Sequence, residues 1–398
     1  MKRIFSIALI LCLLLSFAAC GNGGAPSSSP TPPPAGTDYT QKTVSMQTAL
    51  PLSLLDGRTE MLADGAISFD WSGNAITFTA DCEGDVTLTL SVGNTGVYNT
   101  DDLPDAPVGV AFSILLDGQK VGDRHFVYEE DGIVTLTLAE DLPRGEHTFR
   151  LLRQSKIMSA TAELHFITLC GELKQMQSNA PYIEFIGDSL SCGYGIYKTV
   201  EHEDANEGYL ACLSDNAELA FAVRTAHALG ARYSIAGFSG SGFAYGWNAY
   251  NVPEVYTKTS FVRSDAEYAF EVTPDLIVIN LGSNDKNRWG ILPDGSTIEG
   301  NAADDFFREE FVSFIGTLTE KNGVDVPIVF AFASSNIQLA DTMKDILDEE
   351  YSYLDLHFVT LTPNTNGNKG HPSAEGAAVQ TAELTAFLKT EFPTLFGE

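Results

Sequence analysis

Two textures of hydrophobic patterning follow one another along the chain. From about Ser45 to Cys170 apolar and polar residues alternate, as in Ile76-Thr77-Phe78 and Val86-Thr87-Leu88-Thr89-Leu90-Ser91-Val92. The alternation returns in Val134-Thr135-Leu136-Thr137-Leu138 and in His147-Thr148-Phe149-Arg150-Leu151. Successive side chains of a strand point to opposite faces, so this pattern predicts half-buried strands with one wet face. Asp117-Gly118, Asp131-Gly132 and Arg144-Gly145 read as turns between them. Several short strands at such spacing predict a β-sandwich of jelly-roll type over residues 44–175.

Past a hinge around Ser178-Asn179-Ala180-Pro181 the apolar runs become continuous: Ile183 to Ile186, Leu276 to Leu281, Ile328 to Ala333 and His357 to Leu361. Strands buried on both faces look like this, as in a parallel sheet. Between them, Phe307, Phe311, Phe314, Ile315 and Leu318 form a helical stripe, and so do Leu339, Met343, Ile346 and Leu347. Strand and helix in alternation predict a doubly wound α/β domain over residues 180–398, with ligands bound beyond the carboxyl ends of the strands.

The first 43 residues do not fit either texture. Lys2 and Arg3 precede an apolar run from Ile4 to Phe17, too short for a stable membrane span. It closes with Ala18-Ala19-Cys20-Gly21, which resembles a bacterial lipobox. That resemblance implies a signal peptide over residues 1–20, lipidation of Cys20, and a cell-surface protein whose only membrane contact is this anchor. Residues 21–43 are mostly Gly, Ser, Pro, Thr and Ala, and read as a flexible linker.

A length of 398 residues exceeds what one core ordinarily serves, and 44% apolar with 19% charged residues is a folded composition. Twenty-three basic against fifty-three acidic residues give a formal charge of -30, which excludes nucleic acid as a partner and disfavours acidic polymers. Cys82, Cys170, Cys192 and Cys212 remain after the leader. Scattered this widely they are neither a disulfide framework nor a zinc set, and leave open one or two bridges that the spacing does not pair.

The chemistry lies at the ends of the buried strands. Ile183-Glu184-Phe185-Ile186 runs into Gly187-Asp188-Ser189-Leu190, where a hydroxyl sits at a strand end. A serine becomes a nucleophile only with a base beside it and donors for the oxyanion that follows. Leu276 to Leu281 ends in Gly282-Ser283-Asn284-Asp285, and the turn Gly237 to Gly242 follows a strand near Tyr233 to Ala236. Gly370-His371-Pro372-Ser373 follows the last strand, with Ser373 a candidate N-cap.

Taken in this order, these blocks resemble the SGNH, or GDSL, hydrolases. Ser191-Cys192-Gly193-Tyr194-Gly195 after the serine, with a β-sandwich ahead, is closer still to carbohydrate esterase family 2. The resemblance implies acetyl-ester hydrolysis on xylan- or glucomannan-type carbohydrate, with Ser189 as nucleophile and His371 as general base. It also implies an oxyanion hole from the N–H of Ser189, the N–H of Gly240 and the side chain of Asn284, with Gly242 the alternative at the turn. No metal or organic cofactor is called for. One departure stands out: three residues before His371, where such enzymes carry Asp, this chain has Asn368. The resemblance extends to members that work with a Ser–His dyad, the His held by a backbone carbonyl. A dyad is therefore expected, with Asn368 at most orienting His371, unless another carboxylate such as Asp355 approaches the imidazole. Trp247 and Trp289, after the second and third blocks, are candidate platforms for a sugar face. Tyr250 is a further aromatic of the same kind. Cys192 and His227 read as structural, and Asp285 as a brace for neighbouring backbone.

Overall fold

Nine antiparallel strands come first in the computed structural model, which describes residues 37–95, 108–197 and 213–397. They are β1 (Gln41–Ser45), β2 (Leu54–Asp56), β3 (Ile67–Ser68), β4 (Ala75–Gly93), β5 (Gly109–Leu116), β6 (Gln119–Lys120), β7 (His125–Tyr128), β8 (Ile133–Arg153) and β9 (Thr161–Lys174). Their order is β1-β9-β4-β8-β5-β6, with β2 on β4, β3 on β9 and β7 on β5. The alternating pattern decides which face is buried: Ile76, Phe78, Ala80, Cys82, Val86, Leu88 and Leu90 of β4 all enter the core.

Two expectations need correction here. Arg144-Gly145 is not a chain reversal but lies inside β8, where Gly145 pairs with Cys82. The register shifts around Gly84, and Gly84 and Asp141 take positive φ (71° and 49°), so extra residues are absorbed as bulges and the strand bends instead of turning back. The linker also ends earlier than residue 43, because Gln41–Ser45 pairs with β9 and Tyr39 Oη donates to Asp81 at 2.7 Å. Asp117-Gly118 does turn the chain, with both φ values positive (50° and 77°), joining β5 to β6. The leader, Cys20 and the rest of the linker lie outside the described residues.

The second sheet is parallel: β10 (Tyr182–Gly187), β11 (Arg232–Gly237), β12 (Leu276–Asn280), β13 (Ile328–Phe332) and β14 (Leu356–Thr360), in the order β11-β10-β12-β13-β14. Helices Phe221–Ala228, Asn301–Asn322 and Ala340–Glu350 lie in the crossovers, and with Ala374–Glu391, which follows the last strand, they cover its faces. Phe307, Phe311, Phe314, Ile315 and Leu318 are buried against it, the helical stripe seen in the sequence. Winding outward from β10 in both directions opens a crevice at the carboxyl ends of β10 and β12.

The two sheets are fastened by buried charge. Arg58, just after β2, reaches Glu184 on β10 at 2.9 Å, with the rings of Tyr256 and Tyr268 at 4.8 and 4.3 Å from its guanidinium. Arg263 reaches Asp70 at 2.6 Å, and Asp56 of β2 is shared between Arg150 of β8 at 2.9 Å and Arg232 of the second sheet at 3.3 Å. Charges this dry persist only when paired. Cys82, Cys170 and Cys192 are free thiols. Cys170 pairs across from Glu83, and so faces away from Cys82, while Cys212 lies outside the described residues. Among the described residues no helix is long and apolar enough to cross a membrane.

Candidate active site

Strand β10 ends at Gly187, and the chain turns at once into the single helical turn Ser189–Cys192. Asp188 caps that turn by accepting from Leu190 N–H at 3.0 Å. Only glycine fits at 187, since a Cβ there would meet Ser191 Oγ at 2.0 Å. This tight exit sets the Ser189 hydroxyl at the carboxyl edge of the sheet.

His371 comes from the opposite end of the chain. Its Nε2 lies 2.9 Å from Ser189 Oγ, and its Nδ1 lies 3.2 Å from the backbone carbonyl of Asn368. A carbonyl can only accept, so Nδ1 carries the hydrogen and Nε2 turns its lone pair to the serine hydroxyl. The loop is held in turn by Asn368 N–H to Gly195 O at 2.7 Å and Gly367 N–H to His371 O at 2.7 Å. Ser373 caps the following helix through Gly376 N–H at 3.3 Å. Asp355 is engaged elsewhere, 3.0 Å from His357 Nε2. Burial first, then the charges of Lys156 and Lys369, hold the His371 imidazole below its ordinary value, against the pull of the Asn368 and Lys369 carbonyls.

Ser189, Gly240, Asn284 and His371 line one cavity of about 800 Å³. Asn284 follows β12 and its amide donates to Ser241 O at 2.8 Å and toward Asp188 Oδ2 at 3.3 Å, which fixes the plane of the group. Gly240 takes φ +83°, a conformation open to glycine, and a Cβ there would meet the Asn248 amide at 2.8 Å. Gly242 is built differently. Its N–H donates to Asn251 Oδ1 at 3.0 Å, and it does not line the cavity. Asp285 accepts from the N–H groups of Phe243, Ala244 and Tyr245 at 2.9, 2.8 and 2.9 Å, and thereby shapes the turn that carries Gly240. Burial pushes Asp188 up to about 7 and Asp285 up to about 6.

The two tryptophans part company. Trp247 is 62% exposed, lines the Ser189 cavity, and has the Arg288 guanidinium 4.5 Å from its ring centre. Trp289 is partly buried, packs on Phe307 and Tyr245 at 4.9 and 5.4 Å, and lines a different cavity, away from Ser189. The apolar stripe of helix Asn301–Asn322 draws it inward. Tyr250, 52% exposed, lines an adjoining aromatic cavity that shares Trp247 and Asn248 with the first. Cys192 donates to Gly237 O at 3.2 Å and burial pushes its thiol up to about 12, as suits a packing residue. His227 stacks edge-on to Tyr233 at 5.9 Å and is pulled down by burial.

Lys156 and Tyr194 also line the cavity and were not singled out from the sequence. Tyr194 stands five residues after Ser189 in the same glycine-rich stretch, a usable signal. Lys156 sits alone in the connection between β8 and β9, and no spacing marks it.

A strand-end serine, a base with a defined tautomer, and an amide thus share one polar cavity, the set of groups that acyl transfer through a serine requires. Comparison with known proteins agrees. No protein-family model matches the chain. An acetylxylan esterase / glucomannan deacetylase of Cellvibrio japonicus is 23% identical over 84% of this chain and 87% of its own length. The structure of an acetyl xylan esterase from the rumen bacterium Butyrivibrio proteoclasticus superposes with a TM-score of 0.75 at 19% identity, covering 89% of this chain and 99% of that one. A family two carbohydrate esterase from Clostridium thermocellum, in complex with cellohexaose, gives 0.68 at 19% identity over 86% and 99%. The chain has the fold of the family two carbohydrate esterases.

Proposed function

We propose that the protein is a cell-surface serine esterase that removes acetyl groups from xylan- or glucomannan-type carbohydrate through a Ser189–His371 dyad. The observation that carries this reading is the 2.9 Å contact of Ser189 Oγ with an imidazole whose other nitrogen is fixed by the Asn368 carbonyl.

In the first step His371 Nε2 takes the Ser189 proton while Oγ bonds to the acetyl carbon. The N–H groups of Ser189 and Gly240 receive the oxyanion, joined by the Asn284 amide as it exchanges its long 3.3 Å contact with Asp188 Oδ2 for the substrate oxygen. As the carbonyl re-forms, the bond to the sugar oxygen breaks and that oxygen takes the proton from His371. Water then attacks acetyl-Ser189 with His371 again the base, and acetate leaves as the serine regains its proton. The sugar lies against the exposed face of Trp247, and the chain continues over Tyr250 into the adjoining aromatic cavity. The sandwich, residues 44–175, serves mainly to brace the hydrolase, residues 180–398. A lipid on Cys20 and the linker behind it would hold both away from the membrane, with the glycan as substrate and no nucleic acid involved.

The rival reading, a glycan-binding surface protein with a decayed site, has only the Asn368 departure behind it. Ser189→Ala separates the two: acetate release from acetylated xylan is lost, about a million-fold by analogy with other serine hydrolases, while glycan retention is unchanged. Residual release near the wild-type rate would end the esterase reading. A series of esters of rising acyl length tests the lipase alternative, which demands a preference for long chains.

A further inference from the structure

A triad carboxylate does two things for its histidine: it orients the ring and stabilises the imidazolium. Asn368 supplies no such charge, and Asp355 is bound to His357. What packs against His371 instead is a ring and a cation. The Tyr194 ring meets His371 edge-on at 4.5 Å and 70°. The ammonium of Lys156 stands 4.4 Å from the centre of that same Tyr194 ring. Lys156 is buried, with 1% of its surface exposed, and Tyr194 is anchored through its N–H to the Ser189 carbonyl at 3.0 Å.

We infer that Lys156 and Tyr194 are positioning residues, a cation-and-ring prop that holds the His371 imidazole against Ser189 in the place a triad gives to a carboxylate. This rests on the dyad proposed above. The ring restricts the tilt of the imidazole, and the cation holds the ring by its negative face. The sign of the charge is opposite to that in a triad. The prop therefore orients the base without favouring its cation, and leaves imidazolium stabilisation to the Asn368 and Lys369 carbonyls.

The other charged groups about His371 do not reverse this sign. Lys369, on the same loop, adds a second positive charge. Asp188 lines the cavity but is spent on Leu190 N–H and the Asn284 amide, and burial pushes it up to about 7. Asp215 accepts from Gly195 N–H at 3.0 Å and attracts the Lys156 ammonium, while burial pushes its carboxyl up to about 6. It offsets part of the Lys156 charge without reversing it at His371. Burial of His371 and the Lys156 charge act in the same direction. Lys156 belongs to the connection between β8 and β9, so the antiparallel sheet reaches into the catalytic cavity through this side chain.

The test uses the full chain and two readouts. One is the titration of His371 by NMR of ring-labelled histidine, assigned with His371→Asn; the other is the pH dependence of kcat/KM on phenyl acetate. Neutralising Lys156 as Met, or as Gln should Met not fold, moves both the titration and the acid limb to higher pH, because the imidazolium loses a repulsive neighbour. Lys156→Arg leaves both in place. Tyr194→Ala lowers kcat about ten- to a hundredfold, with KM changed less than about twofold, as misorientation of a base does. An unmoved titration in Lys156→Met, or an equal shift in Lys156→Arg, overturns the prop. The titration needs no turnover: a shift in Lys156→Met beside a wild type inert on phenyl acetate would support the prop while refuting the esterase.

Discussion

The antiparallel and parallel sheets differ in what they do with the ends of their strands. β4, β8 and β9 run long, bend through bulges and pair with one another along their lengths. The five parallel strands are short, and each of the first four must leave the sheet at its carboxyl end to enter a crossover. Asp188, Gly240 and Asn284 all lie just past such an exit, after β10, β11 and β12. Reactive groups gather where topology forces the backbone to stop and turn, and the antiparallel half has no equivalent edge. Its contribution is support, through the Arg58–Glu184 pair, and one charge, Lys156.

That contrast can be broken most forcefully at the seam. Arg58→Met strands the Glu184 carboxylate in a dry site and is expected to cost about 3–5 kcal/mol. A denaturant melt should still show one transition; two separated transitions would mean the sheets are independent bodies. Next comes Asn284→Ala, expected to reduce turnover of an activated acetate ester about a hundredfold or more, near 3 kcal/mol, at the parallel edge. Near-normal turnover would remove Asn284 from the oxyanion hole. The two tryptophans give the smaller effects and divide them. Trp289→Ala lowers stability by about 2 kcal/mol through lost packing, with the kcat of the folded fraction little changed. Trp247→Ala leaves the melt unaltered and raises KM for acetylated oligosaccharide several-fold, about 1 kcal/mol, with little effect on phenyl acetate. Exchange of those two phenotypes would reverse their assignment.

Much of this was readable beforehand, and the misses share a cause. Continuous apolar runs marked β10 and β12–β14 to within a residue. β10, β12 and β13 are buried on both faces and tolerate few polar positions, whereas β14, expected to be equally buried, lies at the sheet edge and is only partly covered. Arg144-Gly145 was misread because a turn dipeptide also suits a bulge, and only the partner strand's register separates the two. Trp289 looked like a platform because it follows a catalytic block, yet the apolar stripe of helix Asn301–Asn322 claims it. Lys156 left no trace at all, since a single lysine in a connection carries no period.

By itself the sequence determined the two sheet types, the strand ends that bear Ser189 and Asn284, and the histidine that follows the last strand. These are local facts, written in periodicity and in glycines that only one backbone path allows. Tertiary structure alone decided that the Asn368 carbonyl, not a carboxylate, fixes the His371 tautomer, that Trp247 and not Trp289 faces the cavity, and that Lys156 arrives from the other sheet. The last two are meetings of residues distant in the chain. The first lies within one loop, whose path is held by Asn368 N–H on the Gly195 carbonyl, and packing of that kind no local pattern encodes.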